Sequence, residues 1–81
     1  SITIINPGHR NKDSGPDFFN GQVRINDTLW AGNIEIHIKA SDWYKHKHQD
    51  NPAYDSIILH VVYDADTSIH RKNNVSIPTL E

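Results

Sequence analysis

The sequence predicts an α+β domain, a small and mostly antiparallel sheet with one short crossover helix in the order β-β-β-α-β. Three observations lead there. Residues 34–39 (IEIHIK) alternate strictly between isoleucine and a polar or charged group, the period of a half-buried strand. SIILHVVY, residues 56–63, is apolar on both faces except at His60, the pattern of a central strand covered on both sides. Between them, SDWYKHKHQDNP opens on a plausible helix N-cap and closes on residues that break helices.

The elements follow in order. Ile2, Ile4 and Ile5 form a short β-branched run closed by Asn6-Pro7-Gly8, a strand ending in a turn. HRNKDSGP mixes charge, Gly and Pro and reads as a loop. Gln22–Asn26 alternates, with Val23 and Ile25 on one side, and Asp27-Thr28 turns the chain into the segment Leu29–Ala40. Asn20-Gly21 fits either a type I′ hairpin turn or a bulge. Ser41-Asp42 is placed as the N-cap of a helical turn through Trp43–Gln49, broken by Asp50-Asn51-Pro52, with one further turn at Ala53–Asp55. The core is expected over 1–64. Residues 65–81 read as an irregular tail with an edge strand within Val75–Leu80, and Leu80-Glu81 is set aside because a native and an added terminus read alike.

Eighty-one residues make one domain near the lower limit for a single apolar core. There is no cysteine, so neither disulfides nor a thiolate zinc site contributes. Methionine is also absent, even at position 1, which reads as a piece of a longer chain. No run approaches the roughly eighteen apolar residues of a membrane span, and a cytoplasmic location is expected. The net charge of −2 counts mildly against a phosphate-binding surface, although Lys39, Lys45 and Lys47 cluster mid-chain.

Three constellations carry chemistry. Asp17, after Gly15-Pro16, and Glu35, one hairpin later, bring two carboxylates onto neighbouring strands, the oxygen donors that Mg²⁺ or Mn²⁺ takes. Asp17 falls in step with Phe19 unless a bulge at Asn20-Gly21 shifts the phase. His37 and Lys39 share a strand face with Glu35 and are candidates to deprotonate water or stabilise developing charge. The plainer reading is a capping Asp and a Glu on a solvated face, with Ile34, Ile36 and Ile38 fastening the strand to the core. His46 and His48 are two apart; on a helix they point to nearly opposite sides, and only an extended segment lets both reach one metal. With His60, and with His37, they form the alternative ligand set for zinc, while His60 also reads as a hydrogen-bonded core histidine. Trp30, Trp43, Tyr44 and Tyr54 suit either a base-stacking platform or the rim of a small core.

NPGHRNKDSGPDFFNGQVRI, GNIEIHIKASDWYKHKHQDNPAYD and ILHVVYD together resemble the uncharacterised bacterial family catalogued as domain of unknown function 2851, over roughly Ile4 to Asp64. That family is larger than this chain, so the resemblance implies an N-terminal part, with the rest of the parent chain as a partner. A second and looser resemblance joins Pro16-Asp17 to Glu35-Ile36-His37, which is similar to the PD-(D/E)XK motif of metal-dependent nucleases. It implies a restriction-endonuclease-like core, Asp17 and Glu35 as ligands of Mg²⁺ or Mn²⁺, His37 at the lysine position with Lys39 as substitute, and nucleic acid as partner. The competing functions are a non-catalytic binding or assembly module and a histidine-based metal-binding domain.

Overall fold

A computed structural model describes residues 1–71 and 74–81. Six strands form one sheet: β1 (Ile2–Asn6), β2 (His9–Arg10), β3 (Phe18–Ile25), β4 (Thr28–Lys39), β5 (Ile57–Asp64) and β6 (Thr79–Leu80). The order is β1-β3-β4-β5-β6, with β2 also paired to β3. Among the described residues the one α-helix, α1 (Asp42–Lys45), is followed by 3-10 turns at His48–Asp50 and Pro52–Tyr54. Pairings among β1 to β4 are antiparallel, whereas β4–β5 and β5–β6 are parallel. The sheet is therefore mixed, and β2 arises inside the stretch expected as loop.

Asn20-Gly21 resolves as a bulge. The β3–β4 register shifts between Phe18 and Gly21, and Asn20 has a left-handed φ of 60°. Asn33 holds the distortion from the facing strand. Its Oδ1 accepts the Asn20 N–H at 3.1 Å, and its Nδ2 donates to Ser56 Oγ at 2.7 Å. A second shift, between Asn33 and Ile34 against β5, places Ile58 and Leu59 in one apolar cluster with Val23 and Ile34.

The isoleucine face of β4 meets core at Ile34 but not beyond it, contrary to expectation. Ile34 is buried, but Ile36 is 47% and Ile38 72% exposed, while Glu35 is 4% exposed. The reason is topological. A parallel partner cannot follow β4 through a tight hairpin, so the chain must cross over one face of the sheet. It crosses the face carrying Glu35 and His37. That face holds the larger core of Ala40, Trp43, Tyr54, Ile57 and Val62. Ile69 and Ile77 complete it, so the tail beyond residue 64 supplies core. Leu80 pairs with Val61, and Glu81 Oε2 accepts the Ala65 N–H at 2.8 Å.

The helix is shorter than expected. Ser41 adopts αR geometry without a capping bond. Its N–H and Oγ instead donate to Asp66, at 2.9 and 2.7 Å. Lys47 then turns left-handed at φ 58° and ends the helical run before His48. Asn51 caps the next turn by accepting the Ala53 N–H at 3.0 Å, with Pro52 at its first position.

Gly8 seats the end of β1 against the bulge. Its φ is +84°, and an added Cβ would lie 2.0 Å from the Phe19 carbonyl oxygen. Gly8→Ala should lower the unfolding free energy by about 3 kcal/mol, combining a left-handed backbone cost with overpacking. Urea denaturation measures it, and an unchanged midpoint would contradict the packing described.

Candidate metal centre

The centre is built on β4. Alternation puts Glu35 and His37 on the covered face, and the register sets His60 of β5 beside Glu35. The crossover delivers His46 and His48 from above. Left-handed Lys47 between them cancels the divergence that a continuous helix would impose, and their ring centroids lie 5.5 Å apart. The expectation of a helix through Gln49 thus fails at the residue that matters most for the site.

Ligand-type atoms converge on His37 Nε2. His46 Nδ1 lies 3.2 Å from it, His48 Nε2 3.3 Å and Glu35 Oε2 3.4 Å. His48 Nε2 and Glu35 Oε2 are 2.9 Å apart. The ligand atoms of His37, His46 and His48 all lie within 4.8 Å of one another, so these three residues could hold a metal ion. Packing holds the rings. The His48 ring stacks on Tyr54 with centroids 3.7 Å apart and planes inclined by 15°. Trp43 meets the edges of both His48 and Tyr54. Trp43 and Tyr54 are buried and occupied in this way, so they do not form an exposed stacking platform.

Asp17 and Glu35 meet as well, in a reciprocal arrangement. Glu35 Oε1 accepts the Asp17 N–H at 3.0 Å, and Asp17 Oδ2 accepts the Ile36 N–H at 2.8 Å. The two carboxylates take up amides just beyond the last β3–β4 pair, Phe18 with Ile34, and Glu35 Oε2 remains turned to the histidines. Lys39 is not part of this cluster. Its backbone N–H donates to Asp42 Oδ2 at 3.2 Å, and its side-chain charge helps to lower Asp66. His60 is fully buried behind His37, its Nε2 2.6 Å from His37 Nδ1. Among the residues expected to carry chemistry, Asp17, Glu35, His37, His46, His48 and His60 are thus gathered, and Lys39 stands apart.

Burial governs the electrostatics. It pushes Glu35 up to about 8, helped by the nearby Asp17 carboxylate. It holds His48 and His60 down at about 4 and lowers His37, with neighbouring histidines adding to the effect in each. Both sides of the Glu35–His48 contact are driven toward neutrality. We therefore read the 2.9 Å contact as a carboxyl group donating to a neutral imidazole, not as an ion pair.

Two outcomes test this site. Lys47→Gly should keep the turn and leave stability unchanged or up to about 1 kcal/mol higher, whereas Lys47→Val should lower it, because a β-branched residue resists positive φ. Thermal melts of both variants decide it; a melt of Lys47→Val like that of the parent chain would contradict the left-handed turn. The second outcome concerns pH. Below 6.5 the unfolded chain protonates His48 and His60 while the folded chain resists until about 4, so stability falls with acid. Glu35 acts oppositely: from 4.5 to about 8 the folded chain keeps a proton that the unfolded chain has released, so its contribution falls as pH rises. Two histidines outweigh one carboxyl group below 6.5, and Glu35 acts alone above it. In metal-free buffer the melting temperature should peak near pH 6.5 and decline toward pH 8; a continued rise through pH 8 would refute the raised Glu35.

No curated protein and no solved structure matches the chain. The family model described as "Protein of unknown function (DUF2851)" matches residues 1–81, and the chain belongs to that family.

Proposed function

We propose that this chain is a metal-binding module whose centre takes a zinc-like ion on His37 Nε2, His46 Nδ1 and His48 Nε2, with Glu35 Oε2 as the adjoining oxygen. One observation carries the reading. A tetrahedral ion with metal–nitrogen bonds of about 2.0–2.1 Å separates its ligand atoms by about 3.3 Å. Four of the six separations among His37 Nε2, His46 Nδ1, His48 Nε2 and Glu35 Oε2 run from 2.9 to 3.4 Å, and the three histidine atoms all lie within 4.8 Å of one another. Lone-pair atoms this close, three of them on buried or half-buried side chains, repel one another unless protons or a cation lie between them.

The donor set favours an imidazole-seeking ion over magnesium, which prefers oxygen and retains its waters. His46 is exposed, so the ion would sit beneath one open side. Three histidines leave a coordination position for water when Glu35 does not occupy it, and a zinc-bound water ionises near neutral pH. Metal-assisted hydrolysis is the chemistry such a centre would supply, with Glu35 beside the water.

The nearness of Asp17 and Glu35 supports a second reading, a magnesium-dependent phosphodiesterase acting on nucleic acid. It is the weaker one, because one oxygen of each carboxylate is already bonded to a backbone N–H.

Calorimetric titration separates the two. Zinc should bind one-to-one, and His37→Ala or His48→Ala should weaken binding by more than about 100-fold. Asp17→Ala should weaken it far less. Zinc that leaves the ring resonances of His37, His46 and His48 unmoved, with magnesium shifting Asp17 and Glu35 instead, would overturn the zinc reading.

A further inference from the structure

We infer that His60 is a positioning residue for this centre, and that the His37–His60 hydrogen bond reverses direction when a metal ion binds. The inference rests on the metal-binding reading above. Its basis is the 2.6 Å contact between His37 Nδ1 and His60 Nε2. One of these nitrogens must donate and the other accept, since each neutral imidazole carries a single N–H.

Without metal, one arrangement satisfies both protons. His60 Nε2–H donates to His37 Nδ1, and His37 Nε2–H points into the cluster, where His46 Nδ1, His48 Nε2 and Glu35 Oε2 all lie within 3.4 Å. His60 Nδ1 then keeps a bare lone pair. That nitrogen is buried and has no hydrogen-bond partner among the described residues. A buried acceptor without a donor is tolerated more readily than a buried N–H without an acceptor.

Metal at His37 Nε2 forbids the arrangement, because that nitrogen must offer its lone pair. The His37 proton then resides on Nδ1 and donates to His60 Nε2, and the His60 proton resides on Nδ1, where the metal–nitrogen bond must offset the cost of an unpaired buried N–H. The pair holds two protons before and after, so none is gained or lost; each ring exchanges its proton from Nε2 to Nδ1. His60 thereby supplies the acceptor that fixes the His37 tautomer and ring plane, as outer partners of metal-bound histidines generally do. Trp43, tilted against the His60 ring with centroids 5.7 Å apart, keeps that acceptor in place. A ring held this way has its direction set by the ion rather than by solvent.

Long-range ¹H–¹⁵N correlation spectra of the unaltered chain, with and without zinc, test the reversal directly. The expected result is a His60 ring protonated at Nε2 without zinc and at Nδ1 with it. Zinc binding with an unchanged His60 tautomer would overturn this inference while leaving the metal centre standing; absence of zinc binding would overturn both. As an independent measurement, His60→Phe keeps a buried ring but no acceptor and should weaken zinc binding by about 10–100-fold. His60→Gln, whose carbonyl can accept from His37 Nδ1, should recover most of that loss. Parent-like affinity in His60→Phe would overturn the positioning role.

Discussion

The parallel pairing of β4 with β5 is the constraint on which the rest of the structure depends. Neighbouring parallel strands cannot be joined by a hairpin, so residues 40–56 must cross the sheet. The face they cross carries Glu35, His37 and His60. Burying such groups costs free energy unless they are neutralised or paired. The protein does both. Desolvation drives Glu35, His37, His48 and His60 toward their neutral forms, and Glu35 places one oxygen on the Asp17 amide and the other against His48. A polar face that would serve solubility on the outside becomes a concentrated donor set on the inside.

The supports around that set divide into backbone and packing devices. Asn33 holds the bulge at Asn20-Gly21, and past the end of the β3–β4 pairing Asp17 and Glu35 are each held by the backbone of the other's segment. The left-handed turn at Lys47 brings His46 and His48 to the same side. Trp43 and Tyr54 form an aromatic wall against which His48 and His60 rest. None of the three devices is chemically reactive, yet each fixes an angle that the donor atoms require. The opposite consequence appears beyond the sheet, where Ile36, Ile38 and Tyr63 remain exposed because the crossover chose the other face.

Much of the fold was legible because strand period and turn chemistry are local. IEIHIK and SIILHVVY announced β4 and β5, and Asn51-Pro52 announced the further turn that follows, at Pro52–Tyr54. Glu35 and His37 could be assigned to one face from their spacing alone. Which face was covered could not, because alternation gives phase without sign: the isoleucines looked like the core side and only Ile34 is. The turn at Lys47 was equally hidden. Lysine carries no preference for positive φ, and only the packing of His48 between Trp43 and Tyr54 makes that backbone worthwhile.

By itself, then, the amino-acid order determined that alternating strands would form and that carboxylates and imidazoles would recur along them, since periodicity and residue chemistry are properties of neighbours in the chain. Tertiary structure alone decided that His37, His46 and His48 should meet around one point with Glu35 at its edge and His60 behind. Groups far apart in sequence are brought to that spacing by strand pairing and burial, and neither is encoded in any single segment.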